Sequence, residues 1–141
     1  KNEKETQASN AEDDAHLLPP VVSLSSGKNK YVHVQAWKSP ERVLDFVKSA
    51  SPSECGGPYH ANVAEDLVDW LKAAGYQTKV AGGGRIDYRM SSPNQERTAL
   101  VYGFSYGFGK GNHELVASII QDTFDKELDK ETGSASFDNS E

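Results

Sequence analysis

The chain has 141 residues, a formal net charge of −6 and a single cysteine, Cys55. A chain of this length forms one domain around one core, and one cysteine excludes an internal disulfide and a cysteine-rich zinc site. No apolar run approaches the roughly 18 residues needed to cross a membrane.

The acidic residues are concentrated at the two ends of the chain. Residues 1–15 contain five acids and two lysines, and residues 125–141 contain six acids and two lysines. Residues 16–124 between them hold 11 basic and 10 acidic side chains. We therefore predict disordered acidic tails at 1–15 and 126–141 and a nearly neutral domain at 16–125. Such a domain argues against nucleic acid as a partner, because binding to the phosphate backbone needs a basic surface.

The first half of the domain contains mainly strand patterns. Residues 17–24 are apolar, but Pro19-Pro20 favours an extended edge segment over a helix. Residues 31–37 alternate and are rich in β-forming residues, which predicts a strand. Residues 42–48 fit either a strand or a short helix, and 51–58, with Pro, Cys and Gly-Gly, predict a loop.

The second half begins with a helical pattern. Apolar residues from position 61 recur with a helical period, and Gly75 is well placed to end the helix. The predicted apolar face consists of Val63, Leu67, Trp70, Leu71 and Ala74. Residues 77–90 and 96–105 predict two strands around a Ser-Ser-Pro-Asn turn, and a second helix follows from about 113 to 124. Its apolar side contains Leu115, Ile119 and Phe124. The element order predicts a single compact α/β domain in which a mixed sheet is flanked by two helices.

The segment 101–109 begins as a strand and changes into a glycine-rich loop. Four aromatic residues stand at every second position, so they would share one face of a continuing strand and fill the core. They are Tyr102, Phe104, Tyr106 and Phe108. The glycines at 107, 109 and 111 indicate that the strand ends, since they permit positive φ and close approach of a ligand. A strand that opens in this way before a helix can direct several backbone N–H groups toward an anion. An RNA-binding sheet is disfavoured, because the basic neighbours it would need are absent.

His60 stands immediately before the first predicted helix. The partial positive charge of a helix N-terminus lowers the pKa of a histidine and favours neutral imidazole, which can act as base or nucleophile near pH 7. The alternative is a surface histidine that happens to precede a helix. Packing or exposure explains His33, within the first strand, more readily than metal ligation does. His113 starts the second helix and could approach the loop at 107–111.

Two basic residues could meet a phosphate. Lys30 opens the first strand, although lysines at strand starts are commonly solvated. Arg85 directly follows the glycines 82–84, which mark a bulge or a close approach by another backbone. Its guanidinium could present a planar fork of donors to phosphate oxygens, or it could simply be exposed beside a bulge.

The familiar nucleotide-binding motifs fail on spacing. A P-loop has four residues between its first glycine and Gly-Lys-Ser/Thr, whereas Gly103 and Gly109 are separated by five and Lys110 is followed by Gly111. The G-x-G-x-x-G pattern fails too, because Asn112 stands at its last position. No paired-histidine zinc spacing or EF-hand loop is present.

Four pieces of the chain, taken in order, resemble the protein histidine phosphatase (Janus/Ocnus) family. They are Lys30-Tyr31-Val32, Tyr59-His60-Ala61, Gly82-Gly83-Gly84-Arg85-Ile86 and Val101-Tyr102-Gly103-Phe104-Ser105, followed by Phe108-Gly109 and His113. The resemblance covers roughly 28–125, and the ordered set is more specific than any single piece. It implies a compact α/β sheet between two helices, without a metal.

The resemblance also implies a role for each candidate residue. The histidine of the Tyr-His-Ala piece is catalytic in this family, which assigns catalysis to His60. The lysine of the first strand binds phosphate, which assigns that role to Lys30, and Arg85 would support the same site. The anion loop corresponds to Ser105, Tyr106 and Gly107.

The chain departs from the family pattern at two places. Cys55-Gly56-Gly57-Pro58 replaces a Trp-Ala-Glu-like stretch before the Tyr-His pair, and 39–58 as a whole aligns poorly. Tyr106-Gly107 replaces smaller or aliphatic residues. A loop that binds through main-chain amides tolerates the second change, but the fit of the substrate would differ.

We therefore expect a metal-independent protein histidine phosphatase that hydrolyses the P–N bond of phosphohistidine without a cofactor, with His60 as general base or nucleophile. The alternative is a non-catalytic phosphate- or phosphopeptide-binding module of the same fold. The expected partners are phosphohistidine-containing proteins or peptides, not nucleic acid or a membrane, and the expected state is a monomer. The chain begins at Lys1, so a removed targeting segment would leave no trace, and the expected location is cytoplasmic.

Overall fold

The structure, a computed structural model, describes residues 18–91, 96–127 and 133–140. In these residues six strands form one sheet and three helices accompany it. The strands are β1 (Val22–Ser23), β2 (Gly27–Trp37), β3 (Val43–Ala50), β4 (Gln77–Ser91), β5 (Glu96–Tyr102) and β6 (Gly133–Phe137). The helices are α1 (Pro52–Cys55), α2 (His60–Ala73) and α3 (His113–Lys126).

The sheet is mixed, with the strand order β1-β3-β2-β4-β5-β6. The four central strands are antiparallel to one another, whereas β1 and β6 lie parallel to the strands they join at the two edges. The predicted α/β class, a mixed sheet flanked by two helices, is confirmed. None of the helices in the described part of the chain is long and apolar enough to span a membrane.

Alternation along β2 separates two cores, one on each face of the sheet. Val32, Val34 and Ala36 point toward α2, while Tyr31 points to the opposite face, toward α3. The α2 core is completed by Phe46, Ala50, Val63, Ala64, Leu67 and Leu71. The α3 core contains Val47, Ile86, Ala99, Val101, Val116, Ala117, Ile120 and Phe124. Each helix therefore has one buried stripe that holds it to one face of the sheet.

The helices lie close to their predicted positions, but their buried stripes differ in detail. Trp70, predicted in the apolar face of α2, is 47% exposed, because the stripe is centred nearer His60 and Ala64. In α3 the burial falls on Val116 and Ile120, and Leu115 is exposed. The prediction that Gly75 ends the first helix is confirmed, because this glycine takes a positive φ just after the helix.

Three segments take forms that the residue pattern left open or missed. The ambiguous stretch 42–48 belongs to strand β3, and the predicted loop 51–58 contains the single turn α1. Residues 133–137 form strand β6, which corrects the expectation of a disordered tail at 126–141. The predicted tail at 1–15 lies outside the described residues, as do residues 92–94 of the predicted Ser-Ser-Pro-Asn turn.

Strand β6 lies at the edge of the sheet, beside β5. Its residues pair with 97–101 of that strand, and the Gln121 side chain adds two further bonds. Gln121 donates to the Gly133 carbonyl at 2.9 Å and accepts from the Ala135 amide at 2.9 Å. Gly133 lies so close to the Phe124 ring that a Cβ there would be 2.6 Å from it. The acidic composition of residues 126–141, on which the prediction of a tail rested, gave no indication of these contacts with α3.

Candidate functional site

His60 is the first residue of α2 and is nearly buried, with 9% of its surface exposed. Its Nε2 lies 2.9 Å from the carbonyl oxygen of Gly84 in β4. A carbonyl can only accept, so Nε2 carries the proton and Nδ1 keeps its lone pair. This hydrogen bond therefore fixes both the tautomer and the orientation of the imidazole.

The surroundings of His60 favour its neutral form. Burial is the largest cause that lowers the pKa of His60 below its ordinary value, and the positive charges of Lys30 and Arg85 lower it further. The hydrogen bond to the Gly84 carbonyl acts in the opposite direction, since it favours the protonated ring. The net shift is downward, so the imidazole is an available base near neutral pH. The sequence predicted this direction from the helix N-terminus; the structure adds burial and two cations as its causes.

Lys30 and Arg85 stand directly opposite each other on β2 and β4. Both positions face the α2 side of the sheet, the side that also carries His60. Together with Lys28 they line a pocket of about 70 Å³. Lys30 is half-buried and Arg85 is exposed, so both can meet an anion that approaches from solvent. The structure thus brings together three of the residues that the sequence selected.

The glycines 82–84 allow both helices to approach β4. A Cβ at Gly83 would lie 3.0 Å from His60 Cδ2 and 3.3 Å from Ser105 Cβ, on the α2 side. A Cβ at Gly84 would lie 3.0 Å from His113 Cε1, on the α3 side. The register between β2 and β4 also shifts next to Gly82, so the bulge and the close approach expected for this run are both present.

The loop 105–109 closes on itself beside His60. Ser105 and Gly109 exchange backbone hydrogen bonds, at 3.3 Å for the Ser105 amide and 2.8 Å for the Gly109 amide. The Ser105 hydroxyl accepts from the Phe108 amide at 3.1 Å, and Gly109 also accepts from the Gly83 amide at 3.0 Å. The loop is therefore attached to the same glycine that His60 approaches.

Two residues of this loop have backbone N–H groups that are not used in hydrogen bonds within the loop. Ser105 is buried, and its amide and hydroxyl are used within the loop. Among the described residues, the amides of Tyr106 and Gly107 have no protein acceptor. Of the three residues predicted to hold an anion, Ser105 thus shapes the loop, and the other two present free N–H groups.

The aromatic residues of this segment do not fill the core, and the prediction that they would is wrong. Strand β5 ends at Tyr102, and Gly103, with φ of +76°, turns the chain out of the sheet. Phe104 is 42% and Tyr106 is 95% exposed, and their rings meet edge to face with centroids 5.0 Å apart. The broken backbone ends the alternation on which the prediction rested. Of the glycines at 107, 109 and 111, Gly109 takes a positive φ.

His113 lies on the opposite face of the sheet from His60 and does not join the candidate site. Its Nδ1 accepts from the Tyr31 hydroxyl at 2.8 Å, and its Nε2 donates to the Gly103 carbonyl at 2.7 Å. Burial raises the pKa of Tyr31, which keeps the phenol protonated as a donor. The chain of contacts holds Gly103 where the loop leaves β5. Tyr31 and His113 are 82 residues apart, and no local pattern indicated their contact.

His33 is buried, and its Nε2 lies 2.7 Å from Asp45 Oδ1. Of the two explanations that the sequence left open for this histidine, packing and exposure, its burial supports packing. Within the described residues, His, Cys, Asp and Glu side chains form no group of three that could hold a metal ion.

The assembled geometry is an α/β domain with a neutral imidazole, two cations and two free amides gathered at one end of the sheet. This is the donor set of a site for a tetrahedral oxyanion such as a phosphoryl group. The chain belongs to the Janus/Ocnus family, whose family model matches residues 17–127. The family resemblance identified in the sequence is thereby confirmed.

Relatives in this family carry two kinds of name. The chain is 28% identical over 110 residues to the 14 kDa phosphohistidine phosphatase of Sus scrofa, covering 77% of this chain and 84% of that protein. The human protein of the same name is 26% identical over 110 residues, covering 77% and 85%. The sex-regulated protein janus-A of Drosophila mauritiana is 36% identical over 103 residues, covering 72% and 70%.

Proposed function

We propose that this protein is a metal-independent protein histidine phosphatase that hydrolyses the P–N bond of phosphohistidine. One observation carries the proposal: a tautomer-fixed, neutral His60 stands beside Lys30 and Arg85 and next to a loop with free amides. The names of the mammalian relatives support the same activity.

In this proposal the phosphoryl oxygens are held from two sides. Lys30 and Arg85 supply positive charge, and the amides of Tyr106 and Gly107 donate hydrogen bonds to the oxygens. The loop is closed by Ser105 before any ligand binds, so these donors need no reorganisation as charge develops. Removal of one such preorganised donor typically costs about 3 kcal/mol of transition-state stabilisation.

His60 acts through Nδ1, the nitrogen left unprotonated by the bond to Gly84. As general base, Nδ1 takes a proton from water while the water oxygen bonds to phosphorus and the P–N bond breaks. As nucleophile, Nδ1 itself bonds to phosphorus as the P–N bond breaks, and water then hydrolyses the phosphorylated His60. In both routes a solvent water donates a proton to the leaving imidazole nitrogen, which makes it a good leaving group.

The test is hydrolysis of a phosphohistidine peptide by the wild type and by His60→Ala, with EDTA present. We expect the wild type to release phosphate and the variant to lose activity by at least about a hundredfold. A matched control is His16→Ala, the same substitution at a histidine to which the sequence assigns no role. Full activity of His60→Ala would remove His60 from its role, and loss of wild-type activity in EDTA would contradict the metal-free mechanism.

The same assay separates the phosphatase from a non-catalytic binding module. A module would bind the phosphopeptide without releasing phosphate.

The two catalytic routes are distinguished by whether a phosphorylated form of the protein can be trapped. Alkaline quenching during turnover would leave labelled phosphate on the protein in the nucleophilic route and none in the general-base route.

A further inference from the structure

One face of the sheet beside the candidate site is uncovered in the described part of the chain. Helix α2 packs on β2, β3 and β4, and it leaves the same face of β5 and β6 open. Burial alternates along β5, with Arg97, Ala99 and Val101 buried toward α3 and the residues between them exposed or half-exposed. We call this surface the open sheet face; it consists of Arg89, Thr98, Leu100, Tyr102, Ser134 and Ser136.

The open sheet face is continuous with the candidate site. Arg85 and Tyr102 are paired in register, so the guanidinium proposed to hold phosphate borders this surface directly. Leu100 is 38% exposed next to them on β5. Three neighbouring strands span roughly 10 Å across, which is wide enough for an extended segment of polypeptide.

Exposed aromatic rings stand around the phosphoryl position. Tyr59, directly before His60, is 69% exposed, and the Phe104–Tyr106 pair extends from the loop that carries the free amides. In the proposed site the amides and the cations bind the phosphoryl group. The aromatic rings are not required for that binding. Large exposed aromatic and aliphatic side chains beside a site are typical of a surface that binds a protein partner.

The charge of the region fits the same kind of partner. Lys28, Lys30, Arg85 and Arg89 project from adjacent strands on one face, and Asp87 pairs with Arg89 at 2.8 Å. A polypeptide with one phosphoryl group needs few cations, whereas an RNA strand needs a longer basic track with stacking bases.

We infer that the open sheet face, together with the Phe104–Tyr106 pair, binds the polypeptide that flanks the phosphohistidine of the substrate. The inference rests on the proposed phosphatase function and adds where its protein substrate lies. Binding of the phosphoryl group positions the phosphohistidine itself. The substrate residues on either side of it contact Leu100 and Phe104. The enzyme therefore prefers phosphohistidine within a polypeptide over the isolated amino acid.

The experiment compares two substrates, a peptide with one central phosphohistidine and the isolated phosphohistidine amino acid. The variant Leu100→Thr/Phe104→Thr removes two exposed apolar side chains and keeps β-forming residues. We expect kcat/KM on the peptide to fall roughly tenfold and kcat/KM on the amino acid to change by less than about twofold. Val43→Thr is the matched control, because Val43 is 45% exposed on β3 at the end of the sheet away from Lys30.

The outcomes separate the failure of this inference from failure of the proposed function. An active wild type whose peptide turnover is unchanged in the double variant would refute the docking surface and leave the phosphatase intact. An equal loss on both substrates would also refute it, since the side chains would then act on the site itself. Absence of turnover on both substrates would remove the proposed function and this inference together. Salt-sensitive binding of an RNA oligonucleotide, lost in the variant while peptide turnover is kept, would assign the face to nucleic acid instead.

Discussion

Gly83→Ala should damage the candidate site, because one added methyl group would press on several of its parts at once. The new Cβ would lie 2.6 Å from the Tyr31 carbonyl oxygen, 3.0 Å from His60 Cδ2 and 3.3 Å from Ser105 Cβ. All three contacts are shorter than an ordinary van der Waals separation, and the shortest is with backbone of β2, so the two strands must shift. Overpacking of this kind costs about 1–3 kcal/mol, which lowers Tm by roughly 4 °C for each kcal/mol in a domain of this size.

The effect of Gly83→Ala on catalysis should be larger than its effect on folding. The same methyl group presses on His60 and on the anion loop, and a displacement of about 1 Å can lower a rate a hundredfold. We expect kcat/KM on a phosphohistidine peptide to fall at least about tenfold at a temperature where the variant is fully folded. Gly107→Ala is the control for stability, because its Cβ would meet nothing within 4 Å. A Gly83→Ala protein with wild-type Tm and wild-type kcat/KM would refute the close approach of His60 to β4.

The remaining predictions concern charge and hydrogen bonding. Because the pKa of His60 is lowered, we expect kcat/KM to stay high down to pH values below 6.5 and to fall only as the ring protonates; a limb centred above 6.5 in a pH–rate profile would contradict this. The same shift makes the unfolded state bind more protons, so His60→Gln should reduce the loss of stability on acidification in denaturant titrations at several pH values. Lys30→Ala should raise KM with little change in kcat, and an unchanged KM would argue against its contact with phosphate. Tyr31→Phe should cost about 1–2 kcal/mol in urea unfolding, because His113 loses a buried partner. Gln121→Ala should speed amide exchange in 133–137 before the rest of the sheet, and uniform exchange would show that β6 is held without it.

Periodicity and turn chemistry in the sequence were sufficient to predict the order of the main strands and helices. The buried alternation of β2 and the helical period after position 60 each reflect a local rule that the tertiary structure also obeys. The candidate residues His60, Lys30 and Arg85 were selected because each belongs to an ordered family piece. Their convergence could not be derived from spacing, since it depends on the register that places Lys30 opposite Arg85.

The parts that escaped prediction depend on contacts between distant residues. The exposure of Phe104 and Tyr106 follows from the positive φ of Gly103, which a hydrogen bond from His113 holds in place. Strand β6 depends on the Gln121 side chain and on the free edge of β5. A composition rule counts residues and therefore does not detect a partner in another part of the chain.

Both long helices begin at a buried histidine that donates a hydrogen bond to a backbone carbonyl, and one residue, Gly84, lies between the two rings. Its oxygen accepts from His60, and a Cβ added to it would lie 3.0 Å from His113 Cε1 on the opposite face of the sheet. The starts of α2 and α3 therefore approach the same residue from opposite faces of the sheet. A shift of α3 at its first turn would therefore press on the residue whose oxygen orients the proposed catalytic imidazole. The ring resonances of His60 would then serve as a sensor, readable from the far side of the sheet, for what happens at His113.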